Sequence, residues 1–160
     1  MARKAAGTPA TVLLSAERVP HTLHAYQVDP EAPNYGALVA EALGVEPARL
    51  FKTLIADLDG RLVVGVVPVT GDLDLKALAV AAGGKRAALA DRVAAERSSG
   101  YVRGGISPLG QRKRLPTVVD DSAPGLDLMY VSAGRRGLQV ALAPADLIRL
   151  TGASVAPIRG

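Results

Sequence analysis

The segment Gly100-Tyr-Val-Arg-Gly-Gly-Ile-Ser-Pro-Leu-Gly-Gln-Arg-Lys-Arg114 joins two features that suit a phosphate-bearing ligand. Its glycines, Gly100, Gly104, Gly105 and Gly110, let backbone approach a ligand closely and turn through positive φ. Pro108 fixes the bend and pushes the preceding Ser107 into extended backbone. No Asp or Glu occurs from Ser98 to Val119, whereas Arg103, Arg112, Lys113 and Arg114 are all cationic. Exposed amides beside unopposed cations fit a phosphate. A surface turn with solubilising charges has the same composition, and both readings stand at this point.

Lys52 is the most unusual single residue. It precedes an apolar run in which Leu54 and Ala56 share its face while Phe51, Thr53 and Ile55 point the other way. Both faces are apolar, so its ammonium sits at the end of a core strand, where lysines are rare without a partner. The chain has fourteen Arg and five Lys, so a lysine here points to a compact, flexible point charge. The alternative is a strand-end lysine snorkelling to solvent. Ser107 lacks the surroundings of a nucleophile elbow, and the only imidazoles are His21 and His24. It reads as a positioning or turn-stabilising hydroxyl. The two histidines, three apart on a predicted strand, fall on opposite faces and form no metal pair. Asp120-Asp121 reads as the start of a turn, Tyr26 as a half-buried strand-end phenol, and Ser132-Ala-Gly-Arg-Arg-Gly137 as a second flexible basic turn.

Composition narrows the function. A chain of 160 residues, 49% hydrophobic, is expected to form one domain, 1–160, with a real core. Five aromatic residues are too few for a base-stacking groove. A net charge of +4 leans towards a nucleic-acid partner. With no Cys, thiolate metal sites and a cysteine nucleophile are excluded; a reducing cytoplasm is expected, with no metal and no cofactor. The longest apolar runs, such as Leu62 to Val69, are too short to span a bilayer, so no membrane partner is expected. Met1-Ala-Arg-Lys4 looks like a signal-peptide start, but the apolar stretch Ala10–Leu14 soon meets Glu17 and Arg18 and predicts a helix instead.

The elements that must position these residues can be read in order. Thr8-Pro9 opens a helix to about Arg18, His21–Val28 is a short strand, and Asn34–Leu43 is a helix stopped by Gly44. Asp59-Gly60 joins Phe51–Leu58 and Arg61–Val69 as a hairpin. Asp72 or Asp74 caps a helix ending at Gly83-Gly84, and Asp91 caps another towards Arg97. Strands follow near Leu115–Val119, Leu126–Ser132 and Leu138–Leu142; Pro144 opens a last helix that Gly152 stops, before an edge strand within Ala153–Ile158. The pattern predicts an α/β (α+β) domain around a mixed, largely antiparallel and barrel-like sheet surrounded by helices.

Four stretches, Phe51-Lys-Thr-Leu54, Leu73-Asp-Leu-Lys76, Gly100 to Gly110 and Tyr130-Val-Ser-Ala-Gly-Arg-Arg-Gly137, together resemble the YbaK branch of the YbaK/ProX aminoacyl-tRNA deacylases. These are freestanding relatives of the editing domain of bacterial prolyl-tRNA synthetases. The resemblance runs from the Tyr26 region to the last helix. It implies hydrolysis of mischarged Cys-tRNA(Pro), and in isolation of Cys-tRNA(Cys). Prolyl-tRNA synthetase is a candidate partner: small size and weak net charge suit delegating tRNA identity to it, and direct reading of tRNA by this chain stays open. By position it implies catalysis at Lys52, Gly105 and Ser107, with the Gly105–Pro108 amides facing the aminoacyl carbonyl. Tyr26, Gly104, Ile106 and Pro108 would line the pocket, and Ser132, Ala133 and Gly134 another wall. Arg103, Arg112, Lys113 and Arg114 would contact tRNA. Gln139 stands where some relatives are expected to carry an acid, which removes any carboxylate role there.

An aminoacyl ester is already activated, so stabilising its oxyanion and placing an attacker can suffice. The resemblance implies that the substrate's own cysteine thiol attacks, a lyase-like variant of ester hydrolysis. A proline-shaped synthetase pocket discriminates against similar-sized residues by only about 1–3 kcal/mol, so a second site that destroys the wrong product is needed. Two alternatives share these residues: a deacylase for another mischarged tRNA, such as Ala-tRNA(Pro) or one carrying serine or threonine, and a non-catalytic tRNA- or synthetase-binding module.

Overall fold

A computed structural model describes residues 7–160, so the basic start Met1–Lys4 lies outside the described residues. Within them the chain runs through α1 (Pro9–Ala16), β1 (Thr22–Ala25), α2 (Tyr35–Leu43), β2 (Phe51–Leu58), β3 (Arg61–Pro68), α3 (Leu75–Ala81) and β4 (Ala87–Leu89). It continues through α4 (Arg92–Ser99), β5 (Thr117–Asp120), β6 (Met129–Arg135), β7 (Leu138–Leu142), α5 (Pro144–Thr151) and β8 (Ser154–Ala156).

The β2–β3 hairpin forms where Asp59-Gly60 predicts it. Both residues take positive φ, 53° and 91°, which matches the right-handed twist of the flanking strands. β2 is buried on both faces. Phe51 and Ile55 join Val64, Val66, Val131 and Val140 in the main core, while Ala56 and Leu58 meet Val63, Val67 and Leu78 of α3 on the other side. Helix starts follow the local chemistry: Asp74 and Asp91 accept from Ala77 N (3.0 Å) and Ala94 N (2.8 Å). Thr8 caps α1, and its hydroxyl also donates to the Ala133 carbonyl, tying the helix to β6.

The strands form two sheets, one mixed and one antiparallel, rather than one closed ladder. One sheet has the order β4-β2-β3-β5-β8 and the other β1-β7-β6. Pairing is antiparallel except for β3 with β5 and β5 with β8. A bridge between Leu50 and Tyr130 links the two sheets. The expected mixed, largely antiparallel α/β architecture is therefore met, in two sheets packed over the main core that do not close on one another.

Three local expectations need correction or completion. The predicted strand His21–Val28 is pairing-competent only to Ala25; Tyr26 N then donates to Gly137 O (3.0 Å) at the β6–β7 turn. Asp120-Asp121 does start a turn, with Asp120 O accepting Ala123 N (3.1 Å) and the Asp120 carboxylate accepting Ser122 N (3.2 Å). Asp120 also ends β5, buried, where its carboxylate accepts Ile158 N and Arg159 N, each at 3.0 Å. The Ser132–Gly137 segment is mostly strand, bulged between Ser132 and Arg135, with the turn at Arg136-Gly137.

Candidate active site

A cavity of about 500 Å³ opens where the start of α2, the first residues of β2, the Gly104–Ile106 loop and the bulged end of β6 converge. Lys52 enters from β2. Its side chain is 36% exposed, and Nζ lies 3.4 Å from Asp72, whose side chain is 94% exposed. Such a solvent-facing pair is weakly held, so the ammonium remains available to an anion.

Two buried polar atoms on the same wall have no hydrogen-bond partner in the protein: Thr53 Oγ1 and Gln139 Oε1. Their residues are 9% and 7% exposed. An unsatisfied buried polar atom costs about 1–3 kcal/mol, so atoms of this kind at a cavity mark where a ligand's polar groups belong. The other end of the Gln139 amide is engaged: Nε2 donates to the Tyr26 hydroxyl (3.4 Å), which bonds the Tyr35 hydroxyl (2.8 Å). Burial, followed by the bond to Tyr26, pushes the Tyr35 phenol above its ordinary value, so this rim stays neutral.

The glycine-rich loop is braced from behind. Tyr101 OH donates to Leu109 O (2.6 Å), Leu109 N donates to the fully buried Ser107 Oγ (3.2 Å), and Gln111 Nε2 donates to Ser107 O (3.0 Å). Burial pushes the Tyr101 phenol up to about 12, so it stays a donor. Gly105 lies so close to the β6–β7 turn that a Cβ there would be 2.8 Å from Arg135 Cα, and its N–H donates to Val102 O (2.9 Å). That amide is thus consumed in closing the loop instead of facing a substrate carbonyl.

Of the residues singled out in the sequence, Lys52, Gly104, Ile106, Ser132 and Gln139 line the cavity. Tyr26 sits behind Gln139. Gly105 and Ser107 belong to the loop's bracing, and Ala133 presents its carbonyl to Thr8. Gly134 gives its N–H to Ser132 Oγ (3.1 Å) across the bulge. Pro108, Lys113 and Arg114 border a different, smaller cavity of about 200 Å³ beside α5, and Arg112 is exposed next to Gly100. Arg103 lies near the main cavity, its carbonyl accepting Arg136 Nε at 2.8 Å.

Thr53 and Tyr35 line the cavity without having been singled out in the sequence. The available signal for Thr53 was a hydroxyl inside an otherwise apolar strand, directly after the lysine. Among the described residues no group of three or more His, Cys, Asp or Glu could hold a metal. His21 Nδ1 is bonded to Val19 O (2.7 Å) and His24 Nε2 to Thr22 Oγ1 (2.8 Å). No helix among the described residues is long and apolar enough to cross a membrane.

Comparison with known proteins is consistent with this geometry. The family described as the aminoacyl-tRNA editing domain matches residues 29–150. A protein of Enterococcus faecalis, provisionally named a Cys-tRNA(Pro)/Cys-tRNA(Cys) deacylase, EbsC, is 43% identical over 122 residues, covering 75% of this chain and 74% of that protein. The crystal structure of a hypothetical protein superposes with a TM-score of 0.83 at 25% identity, covering 95% of this chain and 99% of the other. A second crystal structure, provisionally described as a trans-editing enzyme for prolyl-tRNA synthetase, shares the fold with a TM-score of 0.81 at 22% identity, covering 95% and 97%. The matched span holds Lys52, the glycine-rich loop and the Ser132–Gln139 wall, and the chain belongs to the aminoacyl-tRNA editing domain family, the YbaK family.

Proposed function

We propose that this protein is a trans-editing deacylase that clears mischarged Cys-tRNA(Pro), and also Cys-tRNA(Cys). The family match and the name of the 43% identical relative support the substrate class. The observation that carries the reading is the cavity itself, in which a weakly held ammonium stands beside two buried polar atoms without protein partners.

Lys52 holds the esterified 3′ end by its negative charge, as a compact cation suits. Thr53 Oγ1 and Gln139 Oε1 meet donors of the aminoacyl group. Gln139 is a neutral acceptor, so it orients the substrate without taking up a proton as a base. Gly104 and Ile106, the loop residues on the cavity wall, supply the amides that face the ester oxygen as charge develops on it.

The wall contains no Cys or His, and its acid, Asp72, is exposed and paired with Lys52. The attacker is the substrate's thiol, whose ordinary pKa is about 8.5. It loses its proton to water, and the sulfur attacks the ester carbonyl carbon. The C–S bond forms, the bond from that carbon to the ribose oxygen breaks, and the ribose oxygen takes a proton from solvent. The released cyclic thioester is then opened by water to cysteine. Purified protein should therefore release cysteine from Cys-tRNA(Pro), and Lys52→Ala should abolish turnover while melting as wild type does. Full activity in a folded Lys52→Ala protein contradicts the site.

A further inference from the structure

The β6–β7 turn brings a charge to the cavity mouth that the reaction scheme above leaves unused. Arg136 is exposed, and its Nε donates to the Arg103 carbonyl at 2.8 Å. Its stem crosses Gly104, a cavity-wall residue, so closely that a Cβ on Gly104 would lie 3.0 Å from Nε. Its charge also reaches Tyr35, another residue of the wall. The nearby acid is already engaged: Glu96 Oε2 accepts Arg103 N (2.8 Å) and Arg92 Nε (3.2 Å). Among the described residues no carboxylate is within ion-pair distance of the Arg136 guanidinium.

An arginine tethered through Nε has part of its conformational freedom already removed, and its two terminal amino groups remain as a planar donor fork. That geometry matches two oxygens of one phosphate. A cation at the rim, outside the space that takes the amino acid, is placed for the backbone of the strand whose end enters. We infer that Arg136 clamps a phosphodiester of the substrate's single-stranded 3′ end at the cavity mouth. The inference rests on aminoacyl-tRNA being the substrate. It assigns the cavity-side phosphate contact to Arg136 rather than to Arg112–Arg114, which lie elsewhere.

The test reads binding separately from turnover. The probe is a short fluorescent single-stranded RNA ending in CCA, titrated by anisotropy at several salt concentrations. Arg136→Gln keeps a donor for the Arg103 carbonyl but removes the charge; Arg61→Gln, an exposed cation at the opposite end of the β2–β3 hairpin, controls for general charge. Arg136→Gln should weaken binding about tenfold, as expected for loss of a charge-assisted hydrogen bond. It should also lower the slope of log K against log salt by about 0.7, the value for one single-strand phosphate. Arg136→Lys should keep the slope and lose part of the affinity. RNA carrying uncharged methylphosphonates at its last two linkages should bind wild type and Arg136→Gln alike. The clamp is overturned if Arg136→Gln behaves like Arg61→Gln, or if its loss persists on the methylphosphonate RNA. If Arg136→Gln fails to fold, an Arg136→Lys protein with wild-type affinity overturns it. Arg136-dependent binding without any turnover of Cys-tRNA(Pro) would instead reject the proposed reaction and leave the clamp standing.

Discussion

Thr53→Val should make the protein more stable and less active at once. The hydroxyl of Thr53 is buried and without a protein partner, so replacing it by a methyl of nearly the same shape removes an unsatisfied group. Relief of that cost is about 1–2 kcal/mol, the lower part of the range for a stranded buried donor or acceptor. For a domain of this size each kcal/mol raises Tm by about 2–4 °C, so the shift should be roughly 2–8 °C upward. Turnover should move the other way, since a lost hydrogen bond to substrate lowers kcat/KM by about tenfold. Thr117→Val is the matched control. That hydroxyl is also buried but donates to Leu115 O (3.0 Å), so its loss should destabilise by about 0.5–1.5 kcal/mol. Calorimetric melting and steady-state deacylation of Cys-tRNA(Pro) read the two effects. A Thr53→Val protein that melts lower, as Thr117→Val should, refutes the unpartnered hydroxyl. One that melts higher with unchanged kcat/KM refutes its contact with substrate.

Other residues carry separate predictions. Lys52→Arg should be impaired although its charge is kept, because a planar fork does not replace a compact ammonium; wild-type kcat/KM would contradict this. Burial opposes the charge of Asp120, but the Ser122 hydroxyl and the N–H groups of Ile158, Ser122 and Arg159 outweigh it and hold the carboxylate below its ordinary range. A depressed folded pKa stabilises above the unfolded value of about 3.9 and ceases to do so as pH falls through the folded pKa. Denaturant titrations should therefore show wild type losing its advantage over Asp120→Asn in that acid window, and a gap independent of pH would contradict it. Neutralising Arg112, Lys113 and Arg114 together should lower the salt slope for whole tRNA while leaving short CCA-ended RNA unaffected; an unchanged slope for tRNA makes them a solvated surface.

Local chemistry was legible wherever one residue type decides the backbone. Asp59-Gly60 is the hairpin turn, Asp74 and Asp91 cap their helices, and Gly44 and Gly152 end theirs with positive φ. What escaped depends on distant partners. β4 is Ala-Ala-Leu, with little strand preference of its own, and exists because it pairs with Ala56–Leu58 at the sheet edge. Asp120 is the turn residue it resembles, but its burial against the N–H groups of the distant C-terminal segment has no local signature. At the site, Lys52 and the glycine-rich loop stood out by composition. Gly105 was assigned to the substrate because a glycine-rich loop reads alike whether it packs against a ligand or against its own β6–β7 turn. Thr53 and Arg136 gain meaning only from what they lack or touch in three dimensions.

Substrate-thiol attack is tested most directly by comparing Cys-tRNA(Pro) with Ser-tRNA(Pro) under single-turnover conditions with saturating protein. Serine and cysteine are nearly the same shape, so a cavity that selected by fit alone would separate them little. Their attackers differ greatly in ionisation near neutral pH, so reaction through the side chain separates them strongly. The account predicts rapid loss of cysteine, with a rate that climbs towards the thiol pKa and then levels off, and poor turnover of serine even when it is bound. Equal single-turnover rates for the two esters would contradict it and require water or a protein group as the attacker.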